Sequence, residues 1–282
     1  LFCNVKKEDV ISSLDADTIY DVPNLMFDEG LDKVVLDKLD LCDNDQPKLV
    51  EWNHFLSKHK NPKNKVRIGL IGKYVELHDA YKSISEAFIH AGAANEVNVK
   101  IVWIHSEDLT LENVPQKLKG LDGILVAPGF GNRGTEGKVD AVRFAREHQI
   151  PFLGICLGMQ MAVIEYARNV LNIEGAGSLE MDETCKNPVI NLMEDQKDIT
   201  EMGGTMRLGA RETIFQTKEC VSWRLYGKKD AVAERHRHRY EVNPEMVDEL
   251  EQKGLHFVGK DETGTRMEIS ELANHPFFVA CQ

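Results

Sequence analysis

At 282 residues the chain is long enough for one substantial domain with added material or for two small ones, and 42% hydrophobic residues suffice for a packed core. Its 34 basic against 46 acidic residues give a formal charge of -12, which argues against a nucleic-acid binder, because phosphate binding needs a basic face. No apolar run approaches the ~18–20 residues of a membrane span, and no signal peptide is recognised, so a cytoplasmic protein is expected.

The chain opens on Leu1-Phe2-Cys3-Asn4-Val5, which reads as a buried strand without a start methionine, as expected of a piece of a longer protein. Residues 1–60 then combine a turn at Pro23, a helix around Leu31–Leu39, a polar break "CDNDQPK" (42–48) and a short amphipathic helix near Leu49–Lys58. The charged stretch "KHKNPKNK" (58–65) reads as a linker and sets the expected boundary between residues 1–60 and 61–282. Beyond it strands at Val66–Ile71, Val99–Ile104, Gly123–Ala127 and Phe152–Ile155 alternate with helices at Ala80–Ala91, Asn113–Lys119, Lys138–Glu147 and Met159–Val170. Such alternation predicts an α/β fold, an open and mostly parallel sheet with helices on both faces. After about residue 175 the pattern loosens into short strands, an antiparallel or irregular extension.

The six cysteines, at 3, 42, 156, 185, 220 and 281, form no C-x-x-C pair. They fit a reducing compartment better than a disulfide scaffold or a zinc site, and no metal-ligand set is read from the sequence. Two glycine motifs invite nucleotide readings. "GLIGKY" (69–74) lacks the four-residue gap and the Ser or Thr of a P-loop, and is rejected. "GFGNRG" (129–134) matches G-x-G-x-x-G, but it follows the third strand and no carboxylate stands about 20 residues on.

"IPFLGICLGMQ" (150–160) carries the chemistry. Gly154-Ile155-Cys156-Leu157-Gly158 is G-x-C-x-G between a strand and a helix, the thiol counterpart of the G-x-S-x-G elbow. The glycines let strand and helix pass closely, and the sulfur projects at the strand's carboxyl end. The helix N-terminus is expected to favour thiolate, and the Leu157 N–H to hold a developing oxyanion. A second donor is expected from Gly129-Phe130-Gly131, one crossover earlier. A buried, inert cysteine is the plain alternative.

"PFLGICLGMQ" resembles the nucleophile segment of class I glutamine amidotransferases. "GKYVELHDAYKSISEA", "APGFGNRGTEG", "GGTMRLGA" and "ERHRHRYEVN" resemble, within that group, the glutaminase domains of CTP synthases. The resemblance covers about Lys65 to Gln282, with residues 1–60 similar to the tail of a synthetase domain and its linker. It implies a flavodoxin-like sheet and a Cys156 thiolate that attacks the side-chain amide of L-glutamine. The ammonia released would aminate UTP on an ATP- and Mg-dependent synthetase domain, with GTP as allosteric activator and no cofactor in the glutaminase part. A homotetramer, capable of filaments, is also implied.

Carried over residue by residue, the resemblance assigns Gly129 and Leu157 to the oxyanion hole. It assigns Gly129, Leu157, Gly158, Met159 and Gln160 to the glutamine site, with Glu180 for the ammonium and Arg239 for the carboxylate. Pro128 stands where some members have glycine. On residue pattern alone Glu180 also fits a solvated loop acid. Arg235, Arg237 and Arg239 could instead form one face of a salt-bridged strand, with His236, His238 and Tyr240 on the other. No histidine has a convincing local pattern for the general base. The resemblance places it in a His-Pro-Glu after Gln282, leaving His236 and His238 as internal alternatives. A γ-glutamyl hydrolase, a peptidase-like member and a non-catalytic binding domain are the rival readings.

Overall fold

The computed structural model describes residues 5–41, 47–192 and 206–282. Most of the expected strand over Leu1–Val5, most of the polar break at 42–48 and the start of "GGTMRLGA" lie outside these, and Val5 itself is exposed. Contacts group the chain into two compact units, Leu1–Lys65 with Ala87–Asn98, and Val66–Glu86 with Val99–Gln282.

The first unit holds α1 (Val22–Asp28), α2 (Leu31–Lys38) and α3 (Val50–Lys60). Pro23 sits in the first turn of α1, where its missing N–H costs nothing. The buried Tyr20 is its aromatic centre, with Trp52, Phe55 and His90 rings 5.1–5.8 Å away. Its hydroxyl meets His90 Nε2 at 3.0 Å, and Trp52 Nε1 donates to its carbonyl at 3.0 Å.

Next come β1 (Asn64–Gly72), α4 (Lys82–Ala94), β2 (Val97–His105), α5 (Val114–Lys117), β3 (Gly123–Val126), α6 (Thr135–Glu147), β4 (Phe152–Ile155) and α7 (Leu157–Asn169). The expected alternation is present, although α6 starts three residues earlier than its apolar periodicity predicts, because Gly134 caps it at φ 65°. Then follow β5 (Ala176–Ser178), β6 (Asn187–Leu192), β7 (Arg207–Phe215), α8 (Val221–Leu225), β8 (Ala231–His238), β9 (Tyr240–Val242), α9 (Val247–Gln252), β10 (Leu255–Asp261), β11 (Met267–Leu272) and β12 (Phe278–Cys281).

Nine strands form one sheet in the order β2-β1-β3-β4-β12-β11-β10-β7-β8. Pairing is parallel from β1 through β3 and β4 to β12, and antiparallel from β12 to β8. The extension beyond residue 175 therefore continues the main sheet, and a separate three-stranded sheet holds β5, β6 and β9. All four residues of β3 are buried, as a strand covered on both faces requires. Helix α7 is buried from Leu157 to Ala167, and Arg146 on α6 grips its buried Glu165 through both Nε and Nη2. A single face of α7 cannot bury so many side chains, so this helix is core and rigidly carries whatever precedes it.

Candidate active site

Cys156 lies between β4 and α7 at φ 52°, ψ −104°, a backbone conformation that costs a side-chain-bearing residue about 1–3 kcal/mol. The surroundings enforce it. The Cys156 N–H donates to Cys281 O of β12 at 2.7 Å, while the Cys156 carbonyl accepts from Met159 and Gln160 N–H at 2.9 and 3.2 Å. Both flanking glycines are sterically required: a Cβ on Gly158 would lie 2.2 Å from Val126 O, and one on Gly154 2.8 Å from Gly158 backbone. The G-x-C-x-G spacing thus has a direct cause in how closely α7 crosses β3 and β4.

The thiol's electrostatics differ from expectation. Burial pushes Cys156 up to about 11, against the pull of the Leu157 N–H, with Glu180 raising it and Lys138 lowering it further down the order. The helix N-terminus alone does not create a thiolate here, because desolvation of the charged form outweighs it. Among the described residues no histidine hydrogen-bonds the sulfur; Gln282 Nε2 approaches it at 3.7 Å. His236 and His238, the internal alternatives for the base, contact one another and Glu268 instead.

The loop after β3 is held over this turn from three sides. Position 129 adjoins Leu157, since a Cβ there would meet Leu157 Cδ2 at 3.4 Å and Lys73 Cδ at 3.7 Å. Lys73, buried at the end of β1, donates from Nζ to Phe130 O and Gly131 O, both at 2.6 Å. Glu180 Oε1 accepts the Gly131 N–H at 2.7 Å, so this carboxylate is tied to the loop and is not a free surface acid. Lys138 of α6 is fully buried and donates to Ala127 O at 2.8 Å. Burial, then the Lys73 charge, pulls its ammonium down to about 7. Burial also lowers Lys73, partly offset by Glu180.

Gln160 is buried on the first turn of α7, with Nε2 donating to Tyr240 O at 3.0 Å and Oε1 left without a partner among the described residues. Leu157, Gly158 and Met159 are buried beside it. The expected single arginine face stops short: Arg235 and Arg237 are exposed on β8 while His236 and His238 are buried, but β8 ends at His238. Tyr240 pairs with Leu192 in the other sheet, which puts Arg239 at a crossing between sheets, half-buried, with its charge acting on Tyr240. The structure therefore gathers Cys156, Leu157, Gly129 and Glu180 at the carboxyl ends of β3 and β4, where open α/β sheets bind ligands. Sequence reading missed Lys73 and Lys138. The Gly-Lys pair after a strand was the available signal for Lys73, set aside once the phosphate reading failed.

Residues 76–282 match the family model "Glutamine amidotransferase class-I". A CTP synthase of Flavobacterium psychrophilum is 60% identical over 282 residues, covering 100% of this chain and 52% of that protein. One from Methanocaldococcus jannaschii is 53% identical over 288 residues, covering 100% of this chain and 53% of that protein. The chain spans about half the length of the curated relatives it matches. Among solved structures, the glutaminase domain of Trypanosoma brucei CTPS with bound acivicin is 38% identical with a TM-score of 0.72, over 77% of this chain and 84% of that one.

Proposed function

Since the chain belongs to the class-I glutamine amidotransferase family, we propose that it is the glutaminase part of a CTP synthase and that Cys156 is its nucleophile. The observation that carries the reading is the positive-φ cysteine at the head of α7, with Leu157 N–H at the sulfur and the Gly129 loop beside it.

In this reading the Sγ of Cys156 adds to the side-chain carbonyl carbon of L-glutamine. Negative charge that develops on the carbonyl oxygen is met by the backbone N–H groups of Leu157 and Gly129. Collapse of that adduct breaks the carbon–nitrogen bond and expels ammonia, leaving a γ-glutamyl thioester on Cys156. Water then attacks the thioester, and glutamate leaves with the thiol restored. Gln160 Oε1, a buried acceptor without a partner among the described residues, supplies a polar contact for the substrate. The other oxygen of Glu180 receives the substrate ammonium and Arg239 its carboxylate, with Gly158 and Met159 lining the pocket.

A thiol held at about 11 by burial must lose its proton to a base before it attacks. That base and its carboxylate partner are assigned to a His-x-Glu following Gln282. Ammonia would pass to a synthetase domain, which activates UTP with ATP and Mg. GTP as activator, a homotetrameric assembly and a cytoplasmic location complete the reading. The test is glutamate release from glutamine by the native full-length protein, together with mass-spectrometric mapping of acivicin. Modification at Cys156 with parallel loss of glutamate release is expected. Labelling at Cys185 or Cys220 in the folded protein would overturn the assignment.

A further inference from the structure

The antiparallel half of the sheet contains a second cluster that the glutaminase reading does not use. The two inward side chains of β8, His236 and His238, are both buried, and so is Glu268 of β11. His236 Nδ1 lies 3.1 Å from His238 Nε2 and 3.5 Å from Glu268 Oε2. One donor atom from each of the three residues lies within 4.8 Å of the other two.

Hydrogen bonding within the protein leaves this cluster incomplete. The contact between the rings uses one nitrogen of each, and only one proton fits between them. His236 Nε2, His238 Nδ1, Glu268 Oε2 and Glu241 Oε1 are all buried without a hydrogen bond among the described residues. Each such atom is unfavourable if nothing else satisfies it. Of these, Glu268 Oε2 faces the ring nitrogen His236 Nδ1 that meets His238 Nε2, and it is the atom that an ion held by those nitrogens would satisfy.

We propose that His236, His238 and Glu268 form a binding site for a zinc-class divalent ion that ties β8 to β11. Tetrahedral bonds of ~2.0–2.1 Å place neighbouring ligand atoms about 3.3 Å apart, a separation that the observed 3.1 and 3.5 Å bracket. Two imidazole nitrogens with one carboxylate oxygen suit Zn²⁺ or Co²⁺ better than Mg²⁺ or Ca²⁺, which prefer oxygen alone.

The surrounding groups match an outer shell. Arg207 holds Glu268 Oε1, leaving Oε2 directed at the rings, and Glu241 Oε1 stands 3.6 Å from His238 Nδ1 on that ring's far side. Metal-bound histidines and carboxylates are commonly oriented by partners of this kind. The Arg207 and Arg266 cations oppose a divalent ion nearby, and Glu241, Glu268 and Asp261 offset most of the combined positive charge. The consequence for the fold is local. Arg237, between the two histidines on the opposite face of β8, and Arg239, one residue beyond, would be held in register by the ion.

The experiment uses the native full-length protein stripped with a strong chelator and titrated with Zn²⁺ against a competing indicator. Tight uptake of one zinc per chain, with a higher melting temperature when loaded, is expected. His236→Gln, His238→Gln and Glu268→Gln should each weaken uptake about a hundredfold or more, whereas Cys156→Ala and Cys185→Ala should leave it unchanged. Should the histidine variants fail to fold, Co²⁺ substitution in the unaltered protein decides. Visible bands of tetrahedral cobalt without thiolate charge transfer are expected. Absence of those bands, or charge transfer from a cysteine, would overturn the site. Zinc uptake indifferent to the three variants, or no stoichiometric uptake, would overturn it equally, leaving buried water as the partner of these atoms.

Discussion

Replacing Lys73 by methionine tests whether the loop after β3 is built by the contacts described. The substitution keeps an unbranched chain of similar length, so packing is largely retained, and removes the two 2.6 Å bonds to Phe130 O and Gly131 O. Hydrogen bonds to a charged donor contribute about 1.5–3 kcal/mol each. Part of that is offset because the ammonium no longer has to be desolvated, a cost visible in its lowered pKa. A net loss of about 1.5–3 kcal/mol in loop ordering follows, which is about 10–150-fold in kcat/KM for glutamine. The assay is glutamate release by the native full-length protein, run beside the ammonia-dependent product synthesis proposed above, which on that reading does not need the loop. The glutamine rate should fall while the ammonia rate stays put. A folded Lys73→Met protein whose kcat/KM for glutamine stays within about twofold would refute the reasoning, since it would show that the loop holds its shape without these bonds.

Cys156→Ala should abolish glutamate release with the melting temperature little changed and ammonia-dependent synthesis intact. Glu180→Gln keeps an acceptor for the Gly131 N–H while removing the charge, so a large loss of glutamine kcat/KM there isolates the ammonium contact from loop support. Arg239→Ala should cost about 2–5 kcal/mol in the same measure if it pairs with the substrate carboxylate; normal kinetics in both variants would return these residues to a structural role. Gly158→Ala places a Cβ 2.2 Å from Val126 O, backbone of a central strand, and should lower stability by at least about 1–3 kcal/mol in denaturant unfolding. In the 282-residue chain, alkylation of Cys156 by a neutral reagent should accelerate about tenfold per pH unit up to about 11. Because folding raises this thiol above its ordinary 9.0, its contribution to stability is complete below pH 9 and is lost as pH climbs towards 11. A flat alkylation profile from pH 7 to 10 would show that the sulfur is already ionised.

The features legible in the sequence were those fixed by neighbours along the chain. Strand, elbow and helix around Cys156 are set within a few residues, and the two glycines report contacts so close that no other residue fits. Charge balance at depth was not legible. The Leu157 N–H could be anticipated from the helix start, whereas burial of the sulfur depends on β3, β12 and the loop above it. The alternative that put Arg239 on one face with Arg235 and Arg237 failed for a related reason: strand alternation predicts a residue's side only until the chain leaves one sheet for another, which tertiary pairing reveals. The His236–His238 spacing had the same limit. Two positions apart puts both rings on one side of a strand, but Glu268 joins them only through folding of the sheet.

The hydrogen bond from Cys156 N–H to Cys281 O has a consequence for the order in which the molecule is made. Strand β4 pairs on one side with β3, already synthesised, and on the other with β12, which emerges only after more than a hundred further residues. On the ribosome the nascent sheet therefore presents β4 as an open edge, with the strained turn at Cys156 lacking the acceptor that fixes its N–H. Parallel pairing across so long a stretch is entropically slow. The interval between translation of Cys156 and arrival of β12 is when this strand edge is most exposed to aggregation. Assembly of the turn at Cys156 is thereby coupled to the arrival of β12, so a polypeptide released before it carries the cysteine without the acceptor that fixes its N–H.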